Sequence, residues 1–125
     1  MSNIRLGALL LLVIPAAASA QTMNAETFHR KATALKAKGP LALFSRDLKL
    51  LTREGQAAGR RNRDLRLAAV KAGQKPRYCP PDGPQAMGSS EFMTRLQAIP
   101  AADRVRIDMT EATARILAAK FPCPR

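Results

Sequence analysis

Residues 44–72 read FSRDLKLLTREGQAAGRRNRDLRLAAVKA, and their spacing decides the fold. Apolar, small or compact side chains recur at Phe44, Leu48, Leu51, Gly55, Ala58, Asn62, Leu65, Ala69 and Ala72, alternately four and three residues apart. That alternation puts all of them on one side of an α-helix, the seam by which a helix packs lengthwise on its partners. No period-two alternation bounded by hairpin turns competes with it. The pattern predicts one long helix over about residues 41–72, opened by Pro40 and closed by Gly73. Gly55 and Ala58, in mid-seam, are small enough to admit a neighbouring backbone.

Helical signals continue on both sides. Upstream, Asn24 is an N-cap and Glu26 suits the positive first turn of a helix reaching Lys38. Phe28, Ala32 and Leu35 share one face of it, and Gly39-Pro40 stops it. Downstream, Pro76, Pro80, Pro81, Gly83, Pro84 and Gly88 forbid a continuous helix over residues 74–88. Ser89 and Ser90 cap a third helix, with Phe92, Leu96 and Ile99 inward and Ile99-Pro100 as its end. A fourth is predicted from Ala102 to Lys120, with Val105, Met109, Ala112, Ile116 and Ala119 as its seam. Asp103 falls in its positive first turn and Lys120 in its negative last turn. Asp108 and Glu111 read as solvated positions. The chain has no Trp and one Tyr, so its core must be built from Leu, Ala, Ile, Met and Phe. The expected fold is all-α: a compact bundle of about four helices, one of them long.

Residues 1–20 have the parts of a secretory signal. Arg5 supplies the positive region, Leu6 to Ile14 the apolar run, and Ala18 and Ala20 the small residues of a cleavage site. The run is shorter than the roughly 20 residues of a spanning helix. The expectation is export to the periplasm, cleavage near Ala20, and a single helical domain over residues 21–125.

Export changes how the two cysteines read. In an oxidising compartment two cysteines mostly pair with each other. Cys79 and Cys123, each flanked by proline, would tie the C-terminus to the segment before the third helix. The competing readings are two free thiols or half of a metal site. Two cysteines and one distant His29 are too few for a tetrahedral site, and no cofactor is expected.

Charge is uneven. The formal total is +12. Residues 30–77 hold 14 Lys and Arg against three acids, and residues 78–125 hold six against five. The densest cluster is Arg60, Arg61, Arg63, Arg66 and Lys71. A basic helix of this kind attracts acidic protein, an anionic membrane surface or nucleic acid, or is merely a solvated face. Nucleic-acid binding normally adds aromatic platforms or a recognised motif, and neither is present. Arg60, Arg61 and Arg63 are the candidate partner-binding residues.

Catalytic constellations are missing from the pattern. His29 has only Glu26 and Thr33 at helical spacing, which is ordinary helix geometry. Asp103, Asp108 and Glu111 lack the aromatic surroundings of a glycosidase pair. Ser45, Ser89 and Ser90 lie in no nucleophile motif, and no Gly-rich phosphate loop exists. An enzyme is not expected.

The C-terminal block resembles the Rap/Tai family of type VI secretion immunity proteins. The resemblance rests on Tyr78-Cys79-Pro80-Pro81, then Phe92, Leu96, Ile99-Pro100, Met109, Ala112, Ile116-Leu117, and the closing Phe121-Pro122-Cys123. It covers residues 78–125. The first half, with Lys38-Gly39-Pro40-Leu41-Ala42-Leu43-Phe44-Ser45, is similar to small exported proteins of alphaproteobacteria that carry this tail. The resemblance implies an all-helical periplasmic protein, often a homodimer. It implies as partner a peptidoglycan-cleaving amidase effector, whose groove the immunity protein blocks. The alternative is a non-catalytic envelope-associated protein whose basic helical face binds anionic lipid or wall polymer.

Overall fold

Asn24 opens the fold as its sequence suggests. In the computed structural model, which describes residues 22–125, its side chain accepts from the backbone N–H groups of Glu26 and Thr27. The leader read over residues 1–20 lies outside the described residues. The first helix, α1, spans Ala25–Ala37. Gly39 follows in the left-handed region, φ 57°, where a side chain is disfavoured and glycine is not.

The long helix starts later than its spacing predicts. Gly39–Phe44 form a 3-10 helix, and Ser45 then restarts the chain by capping α2, Arg46–Lys71. The Ser45 hydroxyl accepts from the Asp47 N–H at 3.3 Å. That cap, with Pro40 ahead of it, wins over the four-three pattern, which cannot see a break it spans. α2 ends in a Schellman motif. Gly73, φ 70°, donates to the Val70 carbonyl and Gln74 to that of Ala69.

After the proline-rich loop, α3 covers Ser89–Ala98. The predicted fourth helix is two. α4 is a single turn, Ala101–Arg104, and α5 runs Met109–Lys120. Asp108 makes the break. It is the N-cap of α5, accepting from the Glu111 N–H at 2.8 Å, not a solvated mid-helix residue. The backbone around it pairs with the first described residues: Ala25 N–H donates to Ile107 O, and Met109 N–H to Met23 O. This antiparallel bridge, Asn24 with Asp108, occupies the groups a continuous helix would have used.

The core lies where α1, α2, α3 and α5 meet. Ala25, Phe28 and Leu35 of α1, Leu51 and Ala58 of α2, Leu96 and Ile99 from α3 and its end, and Met109, Ala112 and Ile116 of α5 form one buried cluster. Phe28 and Phe92 meet edge to face, centroids 6.0 Å apart. Asn62 is the one polar member of the α2 seam, and it is buried. Its Nδ2 donates to Ala58 O at 2.8 Å and to Thr110 O at 3.0 Å, joining α2 to the first turn of α5.

Only the middle of the seam is interior. Phe44, Leu65 and Ala72 are exposed, as are Val105 and Ala119 on the C-terminal pattern. Nor does Gly55 admit a backbone: a Cβ built there would meet nothing within 4 Å. The disulfide joins Cys79 to Cys123, as the sequence predicts, with their Cα atoms 4.8 Å apart. Beside it, Cys79 N–H donates to Phe121 O at 2.8 Å and Tyr78 is buried. The architecture is thus an all-α bundle with one disulfide. Among the described residues no helix is long and apolar enough to cross a membrane.

Candidate functional site

α2 carries eight Lys and Arg against three acids, and the structure leaves its cations unneutralised. Arg46, Lys49, Arg53, Arg60, Arg63 and Lys71 are exposed, and none is in an ion pair among the described residues. Of the α2 acids, Asp47 is drawn off by Lys31 of α1 at 3.3 Å, and Glu54 accepts from the Met23 N–H at 3.2 Å. The third acid, Asp64, is exposed among these cations with no ion pair among the described residues, so the result is a long face with a strong cationic excess.

The three candidate arginines are not equivalent. Arg60 and Arg63 are exposed. Arg61 is half-buried, and its Nη1 donates to Thr110 Oγ1 at 3.1 Å. Its turn of the helix brings it against α5, so it positions structure rather than facing a partner. Arg66, by contrast, sits with its guanidinium 5.4 Å from the Tyr78 ring centroid. Its Nε is buried with no acceptor, an uncommon and costly state for a charged group. Arg63, Arg66 and Tyr78 line a cleft of about 680 Å³ between α2 and the loop over residues 78–87.

Two apolar features escaped the sequence reading. The 3-10 helix turns Leu41, Leu43 and Phe44 to solvent, with Phe44 87% exposed. An apolar groove of about 540 Å³ lies between α1, α2 and α3, with Phe28, Leu35, Leu48, Leu51 and Phe92 in its walls. The first has a signal in the consecutive run Leu41-Ala42-Leu43-Phe44 after Gly39-Pro40, which one helix face cannot bury whole. The groove had no signal beyond Gly55 and Gly59.

The acids considered for chemistry are occupied otherwise. Glu111 accepts from both Arg77 Nη atoms, at 2.6 and 3.1 Å, and from Arg115 Nε at 3.2 Å. Asp103 accepts from Arg115 Nη1 at 3.2 Å. Near His29, the Thr33 hydroxyl donates to the His29 carbonyl at 2.8 Å, so it forms no nucleophile–base pair with the ring. No group of three or more His, Cys, Asp or Glu that could hold a metal occurs among the described residues.

Three carboxylates are held below their usual range. The Arg104 guanidinium does this to Glu26, Lys120 then Arg95 to Glu91, and Arg77 then Arg115 to Glu111. A depressed folded-state value means stability that is complete above the ordinary 4.5 and lost as pH falls through the folded values. Urea midpoints should therefore be level from about pH 5 to neutrality and decline steeply below about pH 4.5. Glu111→Gln should shallow that decline. A profile falling instead between pH 6 and 7 would contradict the assignment.

No family model, curated protein or solved structure matches the chain.

Proposed function

We propose that the protein acts by binding rather than by catalysis, as an immunity-type protein that blocks a peptidoglycan-cleaving amidase in the periplasm. The observation that supports this most is the unpaired cationic face of α2 on a bundle tied by a disulfide. An inhibitor that fills a cleft needs a pre-organised surface, because ordering a loose one consumes the binding energy. It also gains association rate from charge opposite to that of its partner. The resemblance of residues 78–125 to the Rap/Tai family supplies the class of partner.

The test is protection from lysis by candidate periplasmic amidases of the same cell, with association rates measured across salt. Arg60→Glu with Arg63→Glu should slow association at least tenfold at low salt and flatten the salt dependence. Far-ultraviolet circular dichroism should be unchanged. Arg61 is left intact because it holds Thr110. Protection against none of the amidases would sink the immunity reading.

A second reading is favoured by the 3-10 helix. Leu41, Leu43 and Phe44 are exposed, and exposed Lys36, Lys38, Arg46 and Lys49 bracket them in sequence. Apolar side chains flanked by cations suit an anionic membrane interface. Binding to anionic liposomes that Phe44→Ser abolishes, with no amidase protected, would put this reading in place of the first.

A further inference from the structure

The apolar groove between α1, α2 and α3 exists because α2 has no side chains at two of its positions. Gly55 and Gly59 face it, and a Cβ added to either would meet nothing within 4 Å. From Leu48 to Gly59 it follows about 16 Å of helix. Its volume of about 540 Å³ falls in the range of small-molecule sites. At the Gly59 end it runs into the Arg63–Arg66 cleft, since Gly59, Met87 and Leu117 line both. There Arg63 and Arg66 line the wall, and neither has an ionic partner among the described residues. Asp82, on the exposed loop, is the acid in that cleft, one against two arginines.

An elongated apolar trough that ends at two guanidinium groups complements one chemical class. We infer that the protein binds a single long-chain fatty acid, its chain along Gly55 and Gly59 and its carboxylate at Arg63 and Arg66. The carboxylate accepts from the guanidinium Nη groups of Arg63 and Arg66, charge-assisted bonds. The chain covers apolar surface on Leu48, Phe92 and Met93 that the four helices leave open. This site shares Arg63 with the proposed amidase-blocking face but does not rest on that reading, since Gly55 and the palmitate–hexadecanol comparison test it apart from any amidase.

Calorimetric titration of the protein, purified after export, with palmitate below its micellar concentration should give one chain per molecule. Laurate should bind at least tenfold more weakly, since each buried methylene contributes. Hexadecanol, with the same chain and no charge, should also bind at least tenfold more weakly. Gly55→Leu should fill the trough and reduce palmitate affinity at least tenfold. Its melting temperature should be unchanged or raised, because leucine is the better helix former. Arg63→Gln with Arg66→Gln should erase the preference for palmitate over hexadecanol. No binding of palmitate by the wild-type protein would overturn the proposal. So would equal affinity for acid and alcohol, a comparison that needs no variant. A dimer closed over the groove, dissociated by Gly55→Leu while palmitate fails to bind, would also overturn it.

Discussion

Replacing both cysteines, Cys79→Ser with Cys123→Ser, is expected to cost about 4 kcal/mol of stability. The bridge spans a sequence separation of 44, and closing a loop of that size restricts the unfolded chain by about this amount, within the 2–5 kcal/mol typical of native bridges in small domains. A domain of this size has only about 5–15 kcal/mol in total. The melting temperature should fall by about 15 °C or more. The loss should be felt first at the loop, where Cys79 N–H meets Phe121 O and Arg66 lies over Tyr78. Thermal melts of the oxidised wild type and the double variant, at matched pH, measure it. A drop of less than about 5 °C would mean that α2 and α5 hold the tail without the bridge.

The second large effect is at Arg104. This arginine is only 7% exposed, buried where α1, α3 and α4 converge. Its Nε donates to Glu26 at 2.7 Å, and its Nη1 donates to the carbonyls of Gln97, at 3.2 Å, and Ile99. It therefore satisfies the end of α3 and anchors α1 in one fork. Its removal strands the Gln97 and Ile99 carbonyls and leaves Glu26 with only the exposed Arg30, at 3.2 Å, so Arg104→Ala should cost about 3 kcal/mol. Arg104→Met with Glu26→Leu should recover much of the loss, because an apolar pair of similar volume avoids the stranded charge. Urea denaturation of Arg104→Met, Glu26→Leu and the double variant gives the coupling directly. Additive losses would show that the two side chains act separately.

Arg104 also marks the boundary of what could be read in advance. The helices, their caps at Asn24 and Gly73, and the Cys79–Cys123 pairing follow from local chemistry: capping residues, prolines and the redox logic of two cysteines. The 3-10 helix and the α4–α5 break do not, although Ser45 and Asp108 are both capping residues. In each case a four-three apolar pattern runs across the break, and a pattern of period cannot report a cap inside it. Phe44, Leu65 and Val105 fit the seam and are exposed, because the partners end before the helix surface does. On the candidate surface, Arg60, Arg61 and Arg63 were equal as charges. Only tertiary structure turns Arg61 onto Thr110 and leaves Arg66, not singled out, with an unsatisfied Nε. A buried arginine such as Arg104 is indistinguishable in sequence from any surface arginine, since its burial depends on Glu26, 78 residues away.

The antiparallel bridge between Asn24 and Asp108 has a consequence for the order in which the chain can fold. Met23 and Ala25 exchange their hydrogen bonds with Ile107 and Met109, and Asn24 Nδ2 donates to the carbonyls of Val105 and Ile107. The earliest described residues thus have their partners in the final fifth of the chain. Whether the chain emerges from the ribosome or across a membrane, α1 and α2 appear first and the groups that lock α1, 81 and 83 residues further on, appear later. α1 and α2 can meet in that interval, but the clasp over α1 closes only when α5 arrives. The last step in placing α1 is thus a long-range one, and a chain cut before Asp108 lacks the clasp that fixes it.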